Sequence, residues 1–368
     1  MPKSPKVHLL VLGTDPKSKK GGIATALPAF FDAIESVGIT YTFIPTHFAG
    51  NLKGKWYPWI KSFCRAKHLI KNLNVSGKLP IAYIHMGGGL VSYTRKSILA
   101  MYLSKLSVPI VIQIHDSDTE HYFKSSIKRY LFNILCLGHA SAIAVLTPWC
   151  AKLVTGSNFD KPIYIIPNAL DHTLSDIANS SRIKTSDDEI RIVLAMSRIV
   201  KGKGFKLIVE TLPYLPSNVR IEIAGTGPLL SRLKSRVFDL GQSDKVRFLG
   251  WLDEKGKSEA FSRANVFCLP SKYDSFGMGF IEAMAHGLPI VALDYGPIPD
   301  VVPNVECGIL INKPDPEMLA SALTELLSKD STQRKTIEKN TKNWVLKSFR
   351  SEIVGQKIRN LCENLRHT

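Results

Sequence analysis

Cysteine is scarce in this chain: six in 368 residues, at positions 64, 136, 150, 268, 307 and 362, with no CxxC pair and no histidine at zinc-ligand spacing. Neither a disulfide framework nor a structural zinc site is signalled, and a reducing cytoplasm is the expected location. No apolar run approaches the ~18 residues of a bilayer span. The run VHLLVLG behind Lys3 and Lys6 is short and lacks a small-residue cleavage site before Asp15, so it reads as a first buried strand, not as a signal peptide. No repeat of solenoid period is present. Acid is thin in the first half, where residues 1–170 hold 20 Lys and Arg against 7 Asp and Glu. Such a field favours anionic partners, a phospholipid surface, a lipid-diphosphate acceptor or nucleic acid, unless it serves solubility alone.

What is present is a globular composition, with 45% hydrophobic and 21% charged residues, in a length that suits two domains. Short apolar runs alternate with helix-length segments. VHLLVLG (7–13), IAYIHM (81–86), PIVIQIH (109–115), AIAVLT (142–147) and IYIIPN (163–168) read as buried parallel strands. Helical patterns at 23–37, 58–73 and 97–106 lie between them. From His172 to Glu189 the chain turns polar and reads as a linker. The pattern restarts with IRIVLAMS (190–197), RIEIAG (220–225), VRFLG (246–250), VFCLP (266–270) and PIVAL (289–293). Alternation of this kind means βαβ units and two doubly wound α/β sheets.

The segment SKYDSFGMGFIEAMAHGLPIVA, 271–292, sets two carboxylates, Asp274 and Glu282, around the start of one helix. Gly277 and Gly279 leave backbone N–H groups uncovered there, and Phe280, Ile281, Met284 and Ala285 follow at helical spacing. Unpaired N–H groups at a positive dipole end suit a phosphate, and carboxylates suit sugar hydroxyls, so a sugar nucleotide is the implied ligand. An ordinary amphipathic helix with a capping Asp has the same pattern.

This segment resembles the carboxylate-x7-carboxylate motif of the retaining glycosyltransferases of family four, glycosyl transferases group 1. The resemblance implies the GT-B fold, two facing Rossmann-like domains with a C-terminal crossover helix, here 1–175 plus 345–368 and 188–344. One departure is plain: Asp274 stands where that family usually has Glu. The resemblance further implies a nucleotide-sugar donor, an acceptor glycan or lipid-linked sugar, and no required metal or other cofactor.

Carried onto this chain, the resemblance gives Glu282 to the ribose hydroxyls, Asp274 to the transferred sugar, and Ser275, Phe276, Gly277 and Met278 to the donor at the helix mouth. Arg198 and Lys203 in SRIVKGKGF follow a strand, where ligands collect in α/β sheets, and match the family's diphosphate clamp. Lys201 reads as a bystander. Gly225 and Gly227 of AGTGP, after the next strand, match the loop near the nucleotide, although a lone GxG is usually only a tight turn. In the first half, Lys17, Lys19, Lys20, Gly21 and Gly22 precede a helix and resemble the family's glycine-rich loop near the diphosphate. His115, at a strand end, matches a histidine beside the donor sugar. The following Asp116, Ser117 and Asp118 could be mistaken for a metal-binding DxD.

Lys53–Leu73 mixes Lys and Arg with Trp56, Tyr57, Trp59 and Phe63. This suits a helix lying on an anionic membrane, peripheral on the inner face of the cytoplasmic membrane, and equally one packed on the sheet through Trp59, Ile60, Phe63, Ile70 and Leu73. From Asn343 the chain is helical, with Phe349, Ile353, Ile358 and Leu361 as its expected buried stripe. Two rivals to the transferase stay open: a sugar-nucleotide epimerase of similar fold, and a non-catalytic basic protein that binds nucleic acid or membrane.

Overall fold

A computed structural model describes residues 6–18, 22–48, 52–115, 125–155, 160–180 and 190–366. The chain divides into two compact units, Met1–His172 with Phe349–Thr368, and Thr173–Ser348.

The first unit holds β1 (Val7–Thr14), β2 (Thr40–His47), β3 (Leu79–Met86), β4 (Ile110–Ile114), β5 (Ala142–Val145) and β6 (Ile163–Ile165). They form one parallel sheet in the order β2-β1-β3-β4-β5-β6. Leu9, Leu10, Val11, Leu12, Ile81, Ile84 and Val111 are fully buried, as expected for strands covered by helices on both faces. β2 is an addition to the strands the sequence suggests. Its sequence TYTFIPTH carries Pro45 and polar residues, which an edge strand tolerates because one side of its ladder is unpaired.

The second unit holds β7 (Arg191–Met196), β8 (Val219–Ala224), β9 (Val246–Gly250), β10 (Val266–Cys268), β11 (Ile290–Leu293) and β12 (Gly308–Ile311). Their order is β12-β11-β10-β7-β8-β9, again all parallel. β12, the four-residue edge strand GILI, is a second addition.

Three helical expectations need correction. The polar stretch after His172 begins with a helix, His172–Asn179; its remainder, 181–189, lies outside the described residues. The third helix of the first unit starts at Leu90, well before residue 97, because Gly89 at φ 89° ends the preceding turn. The C-terminal segment is two helices, Ser331–Phe349 and Ser351–Asn364, broken at Arg350. Phe349, Val354, Ile358 and Leu361 are among its buried residues, while Ile353 is 41% exposed. Helix Ser351–Asn364 crosses helix Gly22–Ser36 closely, since a Cβ at Gly355 would lie 2.1 Å from the Ala33 carbonyl oxygen.

Helix Leu52–Val75 packs through Ala66, Ile70 and Leu73 and an edge-to-face aromatic run from Trp56 through Trp59 and Phe63 to Tyr102. Ile60, expected to pack, is exposed with Trp56 and Tyr57. Among the described residues no helix is long and apolar enough to cross a membrane.

Candidate active site

The second sheet reverses its winding between β7 and β10: the chain steps from β7 through β8 to β9, then returns to set β10 on the other side of β7. Loops leaving the carboxyl ends of β7 and β10 therefore diverge, and a crevice opens there. Residues 197–204 and 269–277 are those loops. They carry Arg198, Lys203, Asp274 and Gly277.

Glycine draws the two loops together. Gly202 and Gly204 have φ of 90° and 81°. A Cβ at Gly204 would lie 2.2 Å from the Pro270 carbonyl oxygen, and one at Gly202 would lie 1.8 Å from the Tyr273 ring. Only glycine permits both the left-handed turn and the approach. Lys272 N–H then donates to the Gly202 carbonyl at 2.8 Å, and Ser271 Oγ donates to it at 3.3 Å. The approach brings Lys203 Nζ within 2.5 Å of Asp274 Oδ1, with side chains only 15% and 12% exposed. Asp274 Oδ2 is buried and accepts no hydrogen bond among the described residues. A carboxylate oriented through one oxygen therefore keeps the other for a donor, such as a ligand hydroxyl.

Beyond Asp274 the chain turns into helix Met278–Ala285. Phe276, 2% exposed, anchors the turn. Gly277, at φ 87°, is the N-cap and supplies no side-chain cap, so the first N–H groups of the helix, beginning at Met278 and Gly279, meet no capping side chain. Ser275 and Met278 flank that end and are partly exposed. Glu282 follows just over one turn into the helix. Its Oε2 lies 3.8 Å from Lys257 Nζ, which also reaches Glu254 at 3.1 Å. Lys257 has no place among the sequence candidates, because EKGKSEAFSR reads as a solvated helix face.

Arg198 begins the β7 loop and is exposed. Ile199 N–H, beside it, donates to the Thr226 carbonyl at 2.9 Å. This is the loop of Gly225 and Gly227, where backbone packing by itself demands glycine: Cβ atoms would lie 1.9 Å from Ser197 O and 2.3 Å from Ile199 O. Lys201 is exposed to solvent.

In the first unit the sheet reverses between β1 and β3. Gly22 opens the helix after β1, and a methyl group on its Cα would meet nothing within 4 Å, so packing does not require glycine there. Lys19, Lys20 and Gly21 lie outside the described residues. After β3 come Gly87, Gly88 and Gly89, a triple glycine plain in the sequence but not among the candidates drawn from it. His115 follows β4, and its Nε2 lies 2.8 Å from His85 Nδ1. Burial, helped by the Lys96 charge, pulls the His115 imidazole down to about 3. His85 is held well below its usual range by burial, His115 and Lys96 in turn. Both rings are therefore neutral near pH 7, and each can donate at one nitrogen and accept at the other. Among the described residues no three His, Cys, Asp or Glu converge on a metal site; Asp116, Ser117 and Asp118 lie outside them.

Residues 176–344 match the glycosyl transferases group 1 family. The second unit is a glycosyl transferases group 1 domain. Over 181 residues the chain is 28% identical to an uncharacterized glycosyltransferase of Methanocaldococcus jannaschii, covering 49% of this chain and 46% of that one. Over 176 residues it is 27% identical to the GDP-mannose-dependent alpha-(1-6)-phosphatidylinositol monomannoside mannosyltransferase of Mycobacterium tuberculosis, covering 45% and 46%. The chain thus spans about half the length of these curated relatives. HepE of Anabaena, solved with UDP and glucose, superposes with a TM-score of 0.71 at 18% identity, over 97% of this chain and 100% of that one. The fold is accordingly GT-B, built from two Rossmann-like units.

Proposed function

We propose that the protein is a retaining glycosyltransferase that moves a hexosyl group from a nucleotide-diphosphate donor to an acceptor hydroxyl. The observation that carries this reading is the Lys203–Asp274 pair at the mouth of helix Met278–Ala285, which places a cation, an oriented carboxylate and uncapped N–H groups together at a sheet switch point. A diphosphate satisfies the N–H groups and Lys203, and the exposed Arg198 can fork onto it. Negative charge grows on the diphosphate as the glycosidic bond breaks, so these groups bind the transition state more strongly than the ground state. Glu282 accepts from the ribose hydroxyls, and Asp274 Oδ2 accepts from a hydroxyl of the sugar. His115, as a neutral imidazole, adds a hydrogen-bonding group without a charge. The sugar passes through an oxocarbenium-like state, and the acceptor enters on the face the diphosphate leaves. No protein nucleophile and no metal is assigned.

A lipid-linked or polysaccharide acceptor suits the basic first half, and the mycobacterial relative's name records a phosphatidylinositol-linked acceptor for that protein. Exposed Trp56, Tyr57 and Ile60, with Lys61 Nζ 4.3 Å from the centre of the Tyr57 ring, suit contact with an anionic membrane from the cytoplasmic side. Nucleic acid is not assigned as a partner. The test is a screen of UDP-, GDP- and ADP-sugars for thermal stabilisation and hydrolysis, with product anomers read by NMR. Turnover to an inverted anomer would refute retention; turnover to a rearranged nucleotide sugar without acceptor would make the protein an epimerase.

A further inference from the structure

Two cations of the first unit are buried without a counter-charge among the described residues. Lys96 and Arg95, on helix Leu90–Ser104, are 5% and 6% exposed. Both are tied to Thr46, at the carboxyl end of β2: Lys96 Nζ donates to its hydroxyl and Arg95 Nη2 to its carbonyl. The Thr46 hydroxyl spends its own proton on the Gly13 carbonyl at 3.0 Å. Among the described residues no carboxylate pairs with either cation, and Arg95 Nε is buried without an acceptor. The Arg95 guanidinium lies 5.5 Å and 6.0 Å from the ring centres of Trp56 and Trp59. Apart from each other, the two cations thus meet neutral groups among the described residues. His85, with its Nε2 buried and unpartnered, and His115 feel the Lys96 charge from the ends of β3 and β4.

An ion out of water without a partner costs several kcal/mol, and structural roles for Lys or Arg at such a place are served better by an apolar residue of similar size. Cations kept there, with donors unspent, at the carboxyl edge where α/β sheets take ligands, lack an anion. Arg and Lys together offer a planar fork and a point charge, the pairing that suits a phosphate group. We propose that Lys96 and Arg95 bind an oxyanion, the phosphate of a phosphorylated acceptor, with the partly exposed His115 beside it. The identification of that phosphate as the acceptor's rests on the transferase reading; the anion site itself does not.

Isothermal titration with inorganic phosphate, at constant ionic strength in chloride and with the donor site filled by saturating UDP or GDP, reads the site directly. The wild type should bind, and Lys96→Met should bind about 10- to 100-fold more weakly, the equivalent of one lost charged hydrogen-bond set. Ligand-free Lys96→Met should melt at or above the wild-type temperature, whereas a residue kept for structure would lower it. Lys96→Arg should recover most of the binding. Arg95→Gln, a milder change, repeats the titration if Lys96→Met fails to fold. Equal phosphate affinity in wild type and variants, or none in the wild type, overturns the proposal. Nucleotide stabilisation in the same samples is scored separately, so failure of the donor reading shows there and not in the phosphate arm. Glycerol 3-phosphate against phosphatidate-containing vesicles, each with wild type and Lys96→Met, then separates a soluble phosphomonoester from a lipid phosphate.

Discussion

Replacing Lys203 by Met, Asp274 by Asn, and both together forms a double-mutant cycle on the pair at the helix mouth. At 2.5 Å and an effective dielectric near 20, the attraction is about 6 to 7 kcal/mol before desolvation. Withdrawing two ions from water takes back several kcal/mol, leaving a coupling of about 1 to 3 kcal/mol. Lys203→Met should destabilise the chain most, by about 3 kcal/mol, because it strands a carboxylate that is only 12% exposed. The double variant should be more stable than the sum of the singles allows. Urea unfolding followed by circular dichroism gives the four free energies. Donor turnover adds the functional reading: Lys203→Met should lower the rate of sugar transfer more than the affinity for nucleoside diphosphate, since charge on the leaving group is largest in the transition state. Stability changes additive within about 0.5 kcal/mol would refute a preformed pair. Wild-type turnover in Lys203→Met would remove it from the chemistry.

Glu282→Ala should fold and lose nucleotide-sugar affinity by about 1.5 to 3 kcal/mol, which titration calorimetry measures; unchanged affinity would place Glu282 outside the donor site. Transfer activity should survive excess EDTA, because Lys203, Arg198 and the helix end stand where a metal-dependent transferase holds its ion, and full loss restored by manganese would reverse that. Gly204→Ala should lower stability by about 2 to 5 kcal/mol through left-handed strain and the clash with Pro270 O, and take turnover with it; an unperturbed urea midpoint would contradict it. Lys96, lowered from 10.5 to about 7 by burial and Arg95, binds a proton in the unfolded chain that the folded chain has lost between those two values. Stability should therefore rise with pH across that window, by on the order of 4 to 5 kcal/mol from this group. Thr46, Arg95, His85 and His115 around it include no carboxylate to offset the effect. Lys96→Met should flatten the rise, and parallel pH curves would disprove the assignment.

The alternation of apolar runs with helical segments is enough to specify two doubly wound sheets, because buried parallel strands such as VHLLVLG and IRIVLAM are continuous apolar stretches. β2 and β12 are hard to read for different reasons: TYTFIPTH is interrupted by polar residues and Pro45, and GILI is only four residues long. The residues proposed for the donor side stand out in the sequence because Arg198, Lys203 and Asp274 lie in loops that leave strands. What is not legible is which contacts position them. That Gly202 and Gly204 dock one loop on another, and that Lys203 meets Asp274, depends on tertiary approach across about 70 residues of chain. Lys96 and Arg95 are hidden for the opposite reason: two adjacent basic residues on a helix ordinarily face water, and only their burial makes them unusual.

The break at Arg350 bears on the order in which the chain can fold. Leu170 N–H donates to the Phe349 carbonyl at 2.7 Å, and Ser351 Oγ donates to the Leu170 carbonyl at 2.8 Å. The point where the chain leaves the first unit is thus fastened to the point where it returns, and the second unit is an insertion with joined ends. All of that insertion has been made by Ser348, whereas Val354, Ile358 and Leu361, which complete the core of the first unit around helix Gly22–Ser36, come last. During vectorial synthesis the second unit can finish while the first still exposes an apolar groove. A released chain truncated after residue 348 should accordingly present a protease-resistant second unit and a first unit that chaperones still recognise.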